Sequence, residues 1–453
     1  MAIWTLVALS SHGSTSRGEP APAPKSPEEL FVTTKVWPLT LTFTPENYIT
    51  MDPDGGKPPA NSGFPGGPGG PGGGPGGPGG GGRQGRGGRG MMSPANFMAP
   101  EIIRQADTDK DGKLSEKEFT AFSEKFFDGM DKAKTGTLTH EQFRAGLQAI
   151  PRPGGPGGGP GGGGPGFLAS EGRRNGLAGA MGIEFKYVHA DLEFSGLNMK
   201  DIAARYKGNA TFMASRNSIK KSLKLDLNKY VKGQKLADEA TINLHSNAMD
   251  PGWMNEILSH RLYRDSGVAA PRTAYARVHL TVPGKYDKQY IGLYSLVEDV
   301  DKKFFKNRTD HDAGAIFKPS TRELFKDLGD NWKAYNQIYD PKSDLTPEQS
   351  KRVMDFAKLV TNANDQVFAA QVGDYLDLDL FARYMAVTTW LSTMDSILGM
   401  GQNFYVYLDP KSNKFQFVPW DLDSSFGRMG MGQDLDNLSI NQPWRGQNRF
   451  LER

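Results

Sequence analysis

Apolar and polar residues alternate with a period of two in several stretches of the second half of the chain, which is typical of half-buried β-strands. The stretches that we interpret as strands are Ser222–Asn228, Ala274–Thr281 and Asn403–Leu408. A period near 3.6 residues instead predicts helices at Met254–Ser266, Thr346–Thr361 and Leu378–Thr393. Residues 167–453 are therefore predicted to form an α+β domain without internal repeats.

One further strand is predicted much earlier, at Val36–Phe43. Because an isolated strand is not stable, we expect it to pair with the large domain. The residues between them would then be an insertion. This organisation divides the chain into an N-terminal segment (1–30), a first strand region (31–52), a linker (53–94), a helix–loop–helix pair (95–150), a second linker (151–166) and the large domain (167–453).

The amino-acid composition bears on how the chain is organised and on which kinds of partner it has. Both linkers are nearly all Gly and Pro, which bury too little apolar surface to fold, so we expect flexible tethers. A net charge of +3 over 453 residues gives no sign of a nucleic-acid partner, and no segment has the length and hydrophobicity of a membrane span. The apolar run Ala2–Leu9 lacks a basic flank, so it fits either the remnant of an export signal or an ordinary terminus.

The segment Asp107–Glu118 fills every position of a calcium-binding EF-hand loop. A solvated acidic loop is the alternative, but Gly112 at position 6 and Leu114 at position 8 favour the EF-hand. The expected calcium ligands are Asp107, Asp109, Asp111, the backbone carbonyl of Lys113, and Glu118, with Ser115 at the ninth position.

A second loop at Asp131–Gln142 keeps the EF-hand frame but not its charged ligands. It has uncharged or amide residues at positions 3, 5 and 12, so we expect it to pair with the first loop and to bind calcium weakly or not at all. Between the loops, aromatic residues recur at helical spacing and predict a packed face: Phe119, Phe122, Phe126 and Phe127.

Three groups of residues in the large domain carry candidate chemistry. Arg205–Asn209, followed by Lys220 and Lys221, offers basic groups that could hold phosphates. Ile291–Glu298 reads as a buried strand that ends in an acid. The most specific group consists of Asp395, Asn403, Asp421 and Asp423, whose oxygens suit Mg²⁺ bound with phosphates. The simpler interpretation of the last two aspartates is that they cap a turn after a strand.

Five motifs in order resemble the spore-coat protein H (CotH) kinase family. They are Arg205–Asn209, Lys220–Leu225, Gly267–Thr273, Gly292–Glu298 and Pro419–Asp423. The resemblance implies a divergent protein-kinase-like fold, with Mg²⁺ and ATP as cofactors and Ser/Thr of a protein as acceptor. The chain departs from ordinary kinases because it has no Gly-rich loop and no His-Arg pair before Asp395.

The resemblance also implies roles for individual residues. Lys221 or Lys220 would contact the α- and β-phosphates, with Glu256 as partner, and Arg205 and Lys207 are also expected to bind ATP. Glu298 would lie near the adenine. Asp395 would face the acceptor hydroxyl and Asp421 would bind Mg²⁺, with Asp423 and Asn403 as further ligands.

The sequence therefore predicts an exported or surface-associated atypical protein kinase with a calcium-binding insertion. The alternative is an adhesion or structural coat protein that keeps the fold without catalysis. Retention of Lys221, Asp395 and Asp421 favours the enzyme.

Overall fold

The computed structural model describes residues 22–53, 106–109, 114–132, 134–143, 175–180, 182–309, 311, 313–428, 439–444 and 448–453. Its strands are β1 Val36–Thr42, β2 Val188–Phe194, β3 Leu197–Tyr206, β4 Leu223–Asp226, β5 Thr241–His245, β6 Thr273–Val282, β7 Tyr286–Val297, β8 Ala315–Phe317, β9 Phe404–Leu408 and β10 Phe415–Pro419. Its helices are α1 Pro27–Leu30, α2 Pro45–Met51, α3 Glu116–Met130, α4 Leu177–Ala180, α5 Ala210–Ala214, α6 Asn255–Asp265, α7 Lys302–Thr309, α8 Trp332–Tyr339, α9 Pro347–Asn362, α10 Asp365–Tyr375 and α11 Leu378–Trp390.

The first seven strands close into a barrel in the order β1-β2-β3-β4-β5-β7-β6. The predicted early strand is confirmed as part of it: β1 runs antiparallel to β2 and parallel to β6, so that Leu39 lies opposite both Phe194 and Val278. Alternate residues of β1 point into the barrel, and Trp37, Leu39 and Leu41 are buried. The sequence between β1 and β2 is thus inserted between two neighbouring strands.

A second lobe packs helices α8 to α11 around a three-stranded sheet of order β10-β9-β8. Its core is aromatic. Phe325 is fully buried, and its ring centroid lies 4.4 Å from that of Phe356 and 5.2 Å from that of Phe415. A third cluster, which includes Val297 at the end of β7 and Trp420 after β10, packs together residues of the barrel and of the second lobe.

The six strands and helices predicted in the large domain are all present, within a few residues of the expected ends. The inserted region is only partly described. Phe122 and Phe126 stack with 5.7 Å between ring centroids, but Phe119 and Phe127 are exposed and no residue of α3 is buried. The prediction that this aromatic repeat is a buried core face is therefore wrong for α3 as described.

Glu298 lies where β7 leaves the barrel, and its carboxylate is occupied by two arginines. It accepts hydrogen bonds from Arg272 (2.7 Å to Nη2 and 2.8 Å to the backbone N) and from Arg308 (2.7 Å to Nη2). Burial alone would raise the pKa of Glu298, but the two guanidinium groups outweigh burial and lower it. These contacts give Glu298 a structural role at the junction between the lobes. Its position directly after β7 is the expected one, and its place near the adenine stays a prediction.

Glu298→Gln should destabilise the protein by about 3–5 kcal/mol, because, among the described residues, it removes the acidic partner of Arg308 and one of the three acidic partners of Arg272. Urea unfolding of the full chain would measure this. The matched control is Glu323→Gln, which removes an exposed pair with Lys326 and should cost less than about 1 kcal/mol. Equal losses in the two variants would contradict the role that we give to Glu298.

Candidate active site

The outer face of strands β3, β4 and β5 carries a row of polar side chains. Such a face is normally exposed to water, but here part of it is covered by protein. Register places Lys224 beside Arg205 on one side and beside Asn243 on the other. Side chains two residues apart share a face of a strand, so Lys207 and His245 extend this row toward the second lobe. The row is covered by the segment after β10, because Trp420 is buried against it.

Lys207 is the lysine that this face directs at the second lobe. Its Nζ lies 2.6 Å from His245 Nε2 and 3.4 Å from Asn243 Oδ1, and it sits 4.7 Å from the centroid of the Trp420 ring. Burial of the ammonium lowers the pKa of Lys207 to about 7, although the charge of Asp421 opposes this shift. An anionic ligand bound beside Lys207 would raise this pKa again and favour the protonated, charged ammonium.

Glu256, on α6, contacts the histidine that contacts Lys207, and its carboxylate has three partners among the described residues. Its carboxylate lies 3.0 Å from His245 Nδ1 and 3.1 Å from His260 Nε2, and it accepts a hydrogen bond of 2.6 Å from the backbone N of Leu422. Burial alone would raise the pKa of Glu256, but its two histidine partners outweigh that effect and hold the pKa well below its usual value. Glu256 is therefore an anion that fixes one end of the Trp-Asp-Leu-Asp segment.

The predicted magnesium ligands gather around that segment. Burial, reinforced by Asp421, raises the pKa of Asp395 to about 6, against the hydrogen bonds of Gln402 and Asn403. Burial and the same neighbour raise the pKa of Asp423 well above its usual value. Carboxylates that perturb one another in this way are stabilised by a shared cation, and hard oxygen donors suit Mg²⁺. The carboxylates therefore suit Mg²⁺ by donor type. In the described residues, however, the ligand atoms that lie within 4.8 Å of one another and include Asp421 belong to His245 and Glu256, not to Asp395 and Asp423.

Backbone geometry holds this group of carboxylates in place. Asp421 and Asn403 both have positive φ, +54° and +61°, which is uncommon for residues other than glycine. The backbone N of Trp420 donates to the carbonyl of Asn403 at 3.0 Å, so the two turns are held side by side. Strained backbone of this kind clusters at functional sites.

A bridge from the barrel also reaches Asp395. Gln402 Nε2 donates to Asp395 Oδ1 at 2.7 Å, and Asn209 Nδ2 donates to Gln402 Oε1 at 3.3 Å. Asn209 belongs to the predicted Arg-Tyr-Lys-Gly-Asn motif. The motif therefore contributes to the site through its lysine and its asparagine.

The other predicted phosphate-binding residues have different partners from those of Lys207. Lys221 continues the barrel-facing side of β4, and its Nζ donates to the carbonyl of Ser218 at 2.8 Å. Lys220 lies 4.7 Å from the centroid of the Trp253 ring, and Arg205 donates to the carbonyl of Tyr206. The expected pairing of Lys221 or Lys220 with Glu256 is corrected: alternation along the strand turns Lys221 to the opposite face, and histidines occupy Glu256.

Sequence reasoning missed several polar residues that the fold brings together here. They are Lys224, Asn243, His245, His260, Asp299, Lys318 and Gln402. Lys224 pairs with Asp299 at 3.1 Å, and Lys318 Nζ lies 4.6 Å from the centroid of the Trp420 ring. A usable signal was Asn243-Leu-His245, in which polar residues alternate with leucine in a strand that is otherwise apolar.

The first EF-hand-like loop brings three carboxylates together. Oxygens of Asp107, Asp109 and Glu118 all lie within 4.8 Å of one another. Hydrogen bonds from Ser115 and Thr108 lower the pKa of Glu118 to about 2, so it stays ionised. This donor chemistry fits calcium. The two remaining predicted ligands, Asp111 and Lys113, lie outside the described residues.

In the second loop, backbone N–H groups already bind the carboxylate at its first position. Asp131 accepts hydrogen bonds from the backbone N of Thr135 (3.0 Å) and of Gly136 (2.6 Å). Gln142 caps the following turn by accepting from the backbone N of Thr139. The charged groups that a strong calcium site needs are absent at the positions noted from the sequence.

Comparison with known proteins places this site in a family. The family model described as CotH kinase protein matches residues 204–451, which contain the whole candidate site. The chain is 26% identical over 191 residues to the inner spore coat protein H of Bacillus subtilis (strain 168), and the match covers 41% of this chain and 50% of that protein. The chain thus spans about half the length of the curated relative that it matches. With more than half of its residues matched by the family model, the chain belongs to the CotH kinase family.

Proposed function

We propose that the large domain is an atypical protein kinase that transfers the γ-phosphate of ATP to a Ser or Thr hydroxyl of a protein. The observation that carries this proposal is the meeting of Lys207 with the Trp-Asp-Leu-Asp segment across the two lobes. A buried cation on one side and a group of carboxylates on the other are what a metal–triphosphate ligand requires.

Each residue has a defined task. Lys207 contacts the phosphates, in place of Lys220 or Lys221. Asp421 holds Mg²⁺, with Asp423 and Asn403 as additional oxygen donors, and the metal neutralises charge on the phosphates when it is bound. Asp395 orients the acceptor hydroxyl and takes its proton, since a pKa of about 6 leaves it ionised at neutral pH.

The bond between the γ-phosphorus and the β,γ-bridging oxygen breaks as the hydroxyl oxygen bonds to that phosphorus. ADP leaves with the electron pair of the broken bond, and the hydroxyl proton passes to Asp395. Lys207 counters the negative charge of the phosphates in a partly buried site, where electrostatic interactions are stronger than in bulk water.

The EF-hand-like loop supports a second, separate proposal, which is calcium binding in the insertion. An exported or cell-surface protein would meet enough calcium to fill even a weak site. The name of the Bacillus relative refers to a spore coat, and this supports a location outside the cytoplasm for the present chain. In the part of the chain that the structure describes, no helix is both long and apolar enough to cross a membrane.

Asp421→Ala should reduce phosphoryl transfer by at least about 10²-fold, because the metal that neutralises charge on the phosphates would lose its principal ligand.

Asp395→Asn should lower turnover by about 10²–10⁴-fold while Mg-ATP affinity is retained. Autophosphorylation with labelled ATP, alongside calorimetric Mg-ATP binding, measures both effects. Asp379→Ala, an exposed carboxylate on α11, is the control and should change neither. Undiminished transfer in Asp421→Ala would reject the assignment, and a wild-type chain that binds no Mg-ATP would favour the non-catalytic coat or adhesion role.

Nucleotide binding should also take up a proton. Lys207 is largely neutral at pH 8, because burial lowers its pKa to about 7. A triphosphate favours the ammonium and raises that pKa, so binding should take up as much as about 0.9 proton at pH 8 and much less at pH 6, where Lys207 is already charged. Calorimetry in buffers of different ionisation enthalpy gives this number. Lys207→Met should abolish the uptake while Lys220→Met keeps it, and equal uptake at both pH values would contradict the proposal.

The full chain should bind one Ca²⁺ in the loop Asp107–Glu118. Glu118→Gln should weaken calcium binding strongly, since it removes the negative charge and one of the two oxygen ligands at the closing, bidentate position. Glu116→Gln is the matched control, because Glu116 begins the same helix without occupying a ligand position. Calorimetry distinguishes the outcomes: two strong sites, or binding unchanged in Glu118→Gln, would contradict this proposal. We expect calcium to leave the rate of phosphoryl transfer unchanged.

A further inference from the structure

A histidine stands between the lysine and the glutamate that an ordinary kinase would pair directly. His245 lies 2.6 Å from Lys207 Nζ through its Nε2 and 3.0 Å from Glu256 Oε1 through its Nδ1. His245 is 4% exposed and Glu256 is fully buried. We propose that His245 is a positioning residue that transmits the location of Glu256 to Lys207. The proposal rests on the proposed function, because Lys207 has a task only if nucleotide binds at this face.

The direction of each hydrogen bond follows from its partners. Below pH 7, and at any pH where bound phosphates keep Lys207 charged, its ammonium can only donate, so Nε2 of His245 must accept. A neutral imidazole that accepts at Nε2 carries its hydrogen on Nδ1, and this N–H donates to the Glu256 carboxylate. The negative charge of Glu256 makes Nε2 a better acceptor for Lys207.

The far side of Glu256 is fixed in the same way. Nδ1 of His260 has no hydrogen-bond partner among the described residues, and burial lowers the pKa of His260. His260 is therefore neutral and donates from Nε2 to Glu256. The remaining carboxylate oxygen accepts the backbone N of Leu422, the residue after Asp421. One buried carboxylate thus fixes the position of Lys207, through His245. It also fixes the position of Asp421, the principal magnesium ligand, through the backbone of Leu422.

The same atoms offer a competing interpretation. His245 Nδ1, a Glu256 oxygen and an Asp421 oxygen lie within 4.8 Å of one another and could hold a metal ion. Metal binding at Nδ1 would place the ring hydrogen on Nε2, where it would face the N–H donors of the charged Lys207 ammonium. The short contact between Lys207 and His245 therefore favours the positioning role.

Two substitutions separate the two ends of the bridge. His245→Asn keeps a donor close to the position of Nδ1 but removes the acceptor for Lys207. His245→Gln can place its amide oxygen near the position of Nε2 and restore that acceptor. We expect His245→Asn to weaken Mg-ATP affinity and to raise the ATP concentration for half-maximal autophosphorylation by about tenfold to a hundredfold, since a hydrogen bond to a charged group is lost. His245→Gln should recover much of this loss.

His279→Asn is the control, because His279 lies on β6 of the same barrel with its ring against Tyr290. It should leave Mg-ATP affinity unchanged. If His245→Asn binds Mg-ATP as the wild type does, or if His245→Gln recovers nothing while both variants stay folded, the positioning role is overturned.

A measurement without nucleotide distinguishes failure of this inference from failure of the proposed function. The chain has seven histidines, so ¹⁵N-histidine labelling with His245→Asn for assignment should identify the His245 signals. The full-length wild type should show the tautomer with hydrogen on Nδ1, whether or not it has kinase activity. The opposite tautomer, or a switch to it on adding Mg²⁺ alone, would overturn the inference in favour of metal ligation.

Discussion

Charged groups that are removed from water must find partners, and this constraint organises the contact between the barrel and the second lobe. Lys207, Glu256 and the aspartates of the Trp-Asp-Leu-Asp segment lie where two apolar cores meet. The cost of burying each ion is offset only when geometry and hydrogen bonds are good. Glu256 meets that condition with three hydrogen-bond partners in the described part of the chain, whereas burial and the nearby Asp421 raise the pKa values of Asp395 and Asp423.

The buried charged groups therefore fall into two kinds, those whose partners satisfy them within the fold and those that a charged ligand would stabilise. Glu298 and its two arginines satisfy one another, so they stabilise the junction and leave nothing for a ligand. The carboxylates around Asp421 repel one another, and the depressed pKa of Lys207 shows that burial disfavours its charge. A metal–triphosphate would relieve both, because it brings positive charge to the aspartates and negative charge to the lysine.

The inserted region enters and leaves the fold at one edge of the barrel. β1 and β2 are neighbours in the barrel, and the sequence between them leaves and returns at that edge. The described part of the insertion has its own local order, in which Ser115 and Glu118 form a capping box at the start of α3. Within the described residues, the loop Asp107–Glu118 is thus ordered by hydrogen bonds of its own.

Sequence alone determined the features that depend on neighbours along the chain. Periodicity predicted the ends of α11 and β9 closely, the EF-hand spacing selected Asp107 and Glu118, and the resemblance selected Asp395 and Asp421. Only the tertiary structure decided which lysine faces the site. Lys207, Lys220 and Lys221 are equivalent as sequence, but strand alternation and barrel register turn Lys207 toward Trp420 and Lys221 toward the carbonyl of Ser218. The place of His245 between Lys207 and Glu256 depends on contacts between residues far apart in the chain, which no local pattern encodes.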